Sequence, residues 1–177
     1  MIYNNIEGWF NFDQLYSLQL HEAPDKAHFI EVGTWKGKSA AYMAEIIKLS
    51  GKDIKFDCVD TWLGSEEHVN DADVINNTLY ETFLNNMAPL KGYFNPLRLP
   101  SVEAANFYRN ESIDFVYIDA AHDYENVRAD IEAWWPKVKP GGTIAGHDIF
   151  HPPVRQAVID VLSSYDEQFN SWIVKKP

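Results

Sequence analysis

Four short segments of this chain pair an apolar run with side chains able to do chemistry. Phe29-Ile30-Glu31-Val32 runs into Gly33-Thr34-Trp35-Lys36-Gly37-Lys38-Ser39, a strand pattern opening through a glycine-bearing turn into a helix that starts near Ser39. Gly33 and Gly37 admit close approach of a ligand to the backbone, and Ser39 can cap the helix. The turn outlines a nucleotide-sized cleft. Its glycines lie four apart and so miss the G-x-G-x-x-G dinucleotide fingerprint, and Glu31 ahead of them repels a diphosphate but suits a cationic amine or sulfonium. The same residues would also serve an ordinary strand-to-helix turn. The second segment, Phe56-Asp57-Cys58-Val59-Asp60, ends in a carboxylate 27 residues after Gly33, where an acid accepts both ribose hydroxyls of a nucleotide. Trp62, two residues on, can lie against an adenine or anchor the segment that follows.

The third and fourth segments, Ile113-Asp114-Phe115-Val116-Tyr117-Ile118-Asp119-Ala120-Ala121-His122 and Gly141-Gly142-Thr143-Ile144-Ala145-Gly146-His147-Asp148, also end strands in polar clusters. Ligands of open α/β sheets bind outside those carboxyl ends. Asp119 and Asp148 on neighbouring strand tips can bind a hard divalent cation, Mg²⁺ or Mn²⁺, with His122, His147 or His151 as further ligands. Alternatively each acid caps a helix or satisfies a loop, and His122 acts as a general base near neutral pH.

The elements that must position these groups alternate. Strands are expected at His28 to Val32, Phe56 to Asp60, Asn95 to Leu99, Ile113 to Ile118 and Thr143 to Ala145, with Trp172 to Val174 as an edge strand. Val154, Ala157, Val158, Val161 and Leu162 make one helical stripe after Pro152-Pro153. Tyr124, Val127, Ile131 and Trp134 make another, with Glu125, Arg128, Asp130 and Glu132 on its polar face and Pro136 ending it. Pro140-Gly141-Gly142 reads as a tight turn into the next strand. Such alternation predicts a three-layer αβα Rossmann-like fold, a mostly parallel sheet with helices on both faces. Residues 64–94 carry no strand pattern and are expected to be a substrate-covering insertion, with Glu66, Glu67, His68, Tyr80, Phe83 and Tyr93 over the acceptor.

At 177 residues the chain reads as a single domain. Apolar residues make up 46% and aromatic residues 14%, enough for a folded core. The net charge of −11 disfavours nucleic acid as a bulk partner. The single cysteine, Cys58, excludes an intrachain disulfide framework or a Cys-based zinc cage and reads as a buried core residue. With neither a long apolar stretch nor a basic signal-peptide start, the chain is expected to be cytoplasmic and not membrane-bound. Trp9-Phe10 is expected in the core or at a contact between copies of a homo-oligomer.

At Glu31 to Ser39, Val59 to Gly64, Ile118 to Tyr124 and Lys139 to Asp148 the sequence resembles class I S-adenosylmethionine-dependent methyltransferases, in particular the group of macrocin-type sugar O-methyltransferases and cephalosporin-hydroxylase-like proteins. The similarity runs over about residues 28–175. The resemblance implies a seven-stranded sheet ending in an antiparallel hairpin, with S-adenosylmethionine across its carboxyl ends. It assigns Glu31, Gly33, Thr34, Trp35, Gly37 and Ser39 to the methionine part of the donor. Asp60 falls to the ribose and Ser101 and Val102 to the adenine neighbourhood, with Thr61 and Trp62 as further donor-binding candidates. Asp119 faces donor and acceptor, and with His122 it would be catalytic. Related sugar methyltransferases hold a divalent metal between an acid matching Asp119 and an acidic pair matching His147-Asp148; here the first member of that pair is a histidine. The implied reaction is in-line methyl transfer to a hydroxyl of a small acceptor, with proton removal by His122 or a neighbouring carboxylate.

A nicotinamide-dependent oxidoreductase or epimerase is the competing enzyme class, but the glycine spacing is absent and no Tyr is followed by Lys four residues later. A nucleic-acid amino-methyltransferase would carry Asn/Asp-Pro-Pro-aromatic where this chain has Asp119-Ala120-Ala121-His122. A non-catalytic cofactor-binding module is the remaining alternative.

Overall fold

Alternate residues of the strands face opposite layers, and both layers are apolar. A computed structural model describes residues 1–65 and 68–177. Among these, seven strands form one sheet in the order β3-β2-β1-β4-β5-β7-β6. They are β1 (His28–Val32), β2 (Lys55–Asp60), β3 (Asn95–Arg98), β4 (Ile113–Ile118), β5 (Val138–Gly146), β6 (Asp166–Gln168) and β7 (Ser171–Lys175). The first five run parallel, and β7 pairs antiparallel with both β5 and β6. Phe29, Phe56, Cys58, Phe115 and Tyr117 face one core, while Ile30, Val32, Val59, Val116, Ile118 and Ile144 face the other. A strand buried on both faces reads as a continuous apolar run, which is why β1, β2 and β4 are plain in the sequence.

The first core is closed by α1 (Asp13–Glu22), α2 (Lys38–Ser50) and α4 (Leu79–Met87), and the second by α5 (Ser101–Ala105), α6 (Tyr124–Trp134) and α7 (Pro152–Leu162). A single helical turn, α3 (Ala72–Ile75), precedes α4. Among the described residues no helix is long and apolar enough to cross a membrane.

Several local expectations change. The Trp172 strand is interior, and the edge is β6, whose three residues are all exposed and polar, so no apolar pattern marks it. Gln168 and Ser171 pair across Phe169 and Asn170, both at left-handed φ (53° and 59°), which makes a two-residue hairpin turn with both central residues at positive φ. Pro140-Gly141-Gly142 lies within β5. Ile113 pairs with Val138 and Phe115 with Thr143, so Lys139 to Gly142 bulge out of register. Asp130 sits on the buried face of α6, 5% exposed, rather than on its polar face.

In residues 64–94 the apolar positions Leu79, Phe83 and Met87 recur every four residues and turn α4 into the core. Phe83 is therefore core, not acceptor cover, and its ring packs on Trp62 at 4.7 Å. Tyr80 also packs on Trp62, and Tyr93 lies beneath the Lys48 ammonium. Glu66 and Glu67 lie outside the described residues.

Candidate functional site

The chain reverses its direction of travel across the sheet between β1 and β4, and the cleft expected at such a switch point opens at their carboxyl ends. Backbone bonds hold the tips in step: Gly33 N donates to Val59 O at 2.8 Å, Asp119 N to Val32 O at 2.8 Å and His147 N to Ile118 O at 3.0 Å. Gly33, at φ +83°, lies against the backbone of Asp119, whose carbonyl oxygen would stand 2.1 Å from any Cβ placed there. Only glycine lets the first turn and the β4 tip meet.

Asp60 joins the first two turns. Its Oδ2 accepts from Thr34 N and Trp35 N at 2.9 Å each, and its Oδ1 accepts from Trp62 N at 2.8 Å. Burial pushes its carboxyl up, opposed by these backbone donors. A carboxylate has about four lone-pair sites, and these three donors leave Asp60 one for a ligand hydroxyl.

Glu31 is 1% exposed and points into the first core, where Tyr16 Oη donates to Oε2 at 2.9 Å and Ser39 Oγ to Oε1 at 2.6 Å. Burial lifts its carboxyl to about 8, outweighing those two bonds, and the charges of Asp119 and Asp60 add to the rise. Glu31 therefore stands behind the turn and borders neither of the two cavities described next. Ser39 lies inside α2 rather than capping it, since Gly37 occupies the cap and the Ser39 hydroxyl is spent on Glu31.

Two cavities share the cleft. One of about 350 Å³ is lined by Val59, Asp60, Thr61, Leu99, Ser101, Val102 and Asp130, among others. Its volume suits a nucleoside, and Val59, Leu99 and Val102 give it an apolar wall beside Asp60. Asp130 belongs to it as well, raised to about 6 by burial against a Ser101 hydrogen bond. The other, of about 440 Å³, is lined by Gly33, Thr34, Lys38, Ser39, Asp119, His122, His147, Asp148 and His151, and by Glu7 to Asn11 from the N-terminal segment. Gly33, Trp35, His68, Asp119 and Ala120 border both. Trp35 and His68 stack at 3.9 Å between them. Thr34 lines the larger cavity, and its Oγ1 is the buried side-chain atom, among those described, that has no hydrogen-bond partner. Such an atom is a vacancy for a ligand's polar group.

Of the two places open to Trp62, beside an adenine or anchoring the segment that follows, it takes the second and not that of a donor-binding side chain. It is 1% exposed in the core, with Nε1 donating to Trp35 O at 3.0 Å, so it anchors α4 and the first turn. Gly37 likewise packs against Phe83 and Met87 and borders neither cavity.

At the β4 and β5 tips, Asp119, His122 and Asp148 bring one ligand atom each within 4.8 Å of one another. His122 takes the place expected of His147, which borders this group instead. His122 Nε2 lies 2.9 Å from Asp148 Oδ2, and His147 Nδ1 lies 3.2 Å from the same oxygen and 3.8 Å from Asp119 Oδ1. Burial works upward on Asp148, but hydrogen bonds from His122 and His147 hold it far below the usual carboxylate range. Asp119 is raised to about 6, chiefly by burial, with the histidines opposing and Asp148 adding. Burial lowers His147, yet its bond to Asp148 and the charge of Asp119 outweigh this and leave it raised. The sequence gives no sign of two supports: Asn170 Nδ2 donates to Asp148 Oδ1 at 3.0 Å, and Asn11 Oδ1 lies 2.9 Å from His147 Nε2. Tyr16 beneath Glu31 is a third. All three reach the site across long stretches of chain and carry no periodic or motif signal.

A family model described as a methyltransferase domain matches residues 30–149. The protein y4gI of Sinorhizobium fredii is 27% identical over 135 residues, 75% of this chain, which spans only 14% of that protein's length. Among solved structures, the O-methyltransferase NovP superposes with a TM-score of 0.70 at 17% identity, covering 94% of this chain and 78% of NovP. CalS11, a TDP-rhamnose 3'-O-methyltransferase of calicheamicin biosynthesis, gives 0.62 at 13% identity over 92% of this chain and 76% of its own. The methyltransferase MycE, in complex with Mg, S-adenosylhomocysteine and mycinamycin VI, gives 0.62 at 14% identity over 93% of this chain and 48% of its own. At these identities the likeness to solved structures is one of fold.

Proposed function

Because the chain belongs to the methyltransferase-domain family, whose model spans residues 30–149, we propose that it transfers the methyl group of S-adenosylmethionine to an oxygen of a small hydroxylated acceptor. The observation that carries this reading is the position of Asp119, which borders both the nucleoside-sized cavity and the larger cavity holding His122 and Asp148. The donor's adenosine then lies over Leu99, Ser101 and Val102 with its ribose at Asp60, and its methionine end reaches Thr34 Oγ1. The sulfonium methyl is already activated, so the protein must chiefly align donor and acceptor and take up one proton. With the site free of a cation, His122, paired with Asp148 at 2.9 Å, takes the hydroxyl proton and the carboxylate stabilises the imidazolium that forms; where a cation engages His122, a neighbouring carboxylate would take the proton instead.

Two carboxylates and an imidazole with converging atoms fit a divalent cation, which Asp119, His122 and Asp148 would hold. The carboxylates suit Mg²⁺ or Mn²⁺, and the imidazole favours Mn²⁺ of the two. When bound, a cation there supplies a Lewis acid that lowers the acceptor hydroxyl pKa.

Calorimetry is expected to show S-adenosylhomocysteine binding and no NAD binding. Asp119→Asn and His122→Ala are each expected to lower turnover by about 10²–10³-fold on a panel of sugar and phenol acceptors with labelled donor. Mn²⁺ binding, followed by electron paramagnetic resonance, is expected to be lost in Asp119→Asn. NAD binding without a response to S-adenosylhomocysteine refutes the reading, and full turnover by His122→Ala removes that residue from it.

A further inference from the structure

We propose that the N-terminal strap Glu7 to Asn11 is the acceptor-side wall of this site and that the Trp9 indole is the face on which an uncharged, hydroxylated ring is seated. This rests on the methyl-transfer reading and names its substrate class. The strap lines the larger cavity beside the first turn, with Gly8 set against Trp35 and Lys38. Three bonds fasten it there: Glu7 accepts from Lys36 Nζ at 2.9 Å, Gly8 O from Lys38 Nζ at 3.0 Å, and Asn11 Oδ1 lies 2.9 Å from His147 Nε2. The third ties the strap directly to the acid and imidazole cluster at the strand tips.

Between these fastenings Trp9 remains 75% exposed. Its ring lies 6.0 Å from that of His68, which is itself stacked on Trp35 at 3.9 Å. A row of aromatic rings, the outermost open to solvent and borne on a pinned backbone, is a preformed surface for stacking a flat or CH-rich ring at low entropic cost. The charge of the cavity selects against anions. Its lining contains the carboxylates of Glu7, Asp119 and Asp148 and no arginine among the described residues, and its basic groups are engaged: Lys38 on Gly8 O, His122 and His147 on Asp148, with His68 and His151 beside them and Lys36 bound to Glu7. A diphosphate group would find no surplus positive charge there, since a divalent cation held by Asp119 and Asp148 would only balance those two carboxylates. A cavity of about 440 Å³ that also takes the methionine end of the donor leaves room for a ring of modest size.

The test uses the full chain saturated with S-adenosylhomocysteine and three probes: methyl β-D-glucoside, catechol and thymidine diphosphate glucose. Calorimetry or saturation-transfer NMR is expected to show one of the uncharged rings binding at least about tenfold more tightly than the nucleotide sugar. Trp9→Ala is expected to weaken that ring about tenfold, with Trp9→Phe restoring most of the loss and the S-adenosylhomocysteine affinity within about twofold of wild type. The glucoside and catechol arms tell a glycosidic ring from a phenolic one. Failure of both uncharged rings to bind, tighter binding of the nucleotide sugar, or indifference to Trp9→Ala overturns the proposal. Absence of S-adenosylhomocysteine binding in the first step refutes the methyl-transfer reading itself, before any acceptor is added.

Discussion

Gly33→Ala is expected to lose roughly 3–5 kcal/mol of stability and measurable donor binding together. Two costs add at this position. The backbone is held at φ +83°, where a side chain is strained, and the new Cβ would fall 2.1 Å from Asp119 O, 2.5 Å from Asp119 C and 2.6 Å from Ala120 Cα. All three neighbours are backbone, so no rotamer change can relieve the overlap. Relief requires the β1 turn and the β4 tip to part, which opens the cleft at its centre and moves Asp119. Gly51 provides the contrast: its φ is +71°, but nothing lies within 4 Å of a Cβ there. Gly51→Ala is expected to cost only about 1 kcal/mol, the strain alone. Urea denaturation with S-adenosylhomocysteine calorimetry checks both. A Gly33→Ala protein no less stable than Gly51→Ala would mean that the two strand tips are not in contact.

Glu31→Gln is expected to stabilise the protein at alkaline pH and to do little at pH 5. Burial raises the Glu31 carboxyl to about 8 in the folded chain, from an ordinary value of 4.5. Below 4.5 the group is protonated in both states and carries no penalty. Between 4.5 and 8 the unfolded chain binds fewer protons than the folded one, so stability falls as pH rises, and above 8 the loss is complete. Glutamine does not titrate and escapes the whole loss, on the order of 3–5 kcal/mol by pH 8.5. Its amide can still engage the Tyr16 and Ser39 hydroxyls, which act as donor or acceptor. Melting curves from pH 5 to 9 are expected to diverge by about 10 °C at the alkaline end. Parallel curves would show Glu31 ionised in the folded protein. An acid that weakens the unliganded fold at neutral pH is a common mark of a functional site, and here it stands directly behind the turn assigned to a cationic donor.

How far the sequence discloses this molecule depends on whether a feature is local. β1 and β4 are found to the residue because strands buried on both faces are unbroken apolar runs, and α6 and α7 because one stripe of each is apolar. Asp60, Asp119 and Asp148 are found because each directly ends or follows such a run. β6 escapes notice because it buries nothing, and the Pro140-Gly141-Gly142 bulge because its turn residues interrupt β5 without ending it. Asp130 looks like a surface charge until Ser101 and the nucleoside-sized cavity are seen beside it. Trp62 and Phe83, aromatic residues near a cleft, satisfy each other in the core instead of facing it. The exchange of His122 for His147 in the convergent trio follows from side-chain direction at two adjacent strand tips, which residue order does not specify. Tyr16, Asn11 and Asn170 are single polar residues far along the chain from the groups they hold.

The last hairpin does more than finish the sheet. Phe169 and Asn170 both take left-handed backbone to close β6 on β7 in two residues, and the Asn170 amide then fastens Asp148, itself at φ +57°. Lengthening that corner by one residue would leave a pairable ribbon and an intact nucleotide half, yet would withdraw the carboxylate's anchor. The tolerance for insertions that surface turns usually enjoy is therefore suspended here, and the hold on Asp148 rather than the pairing of the ribbon sets the length of this turn.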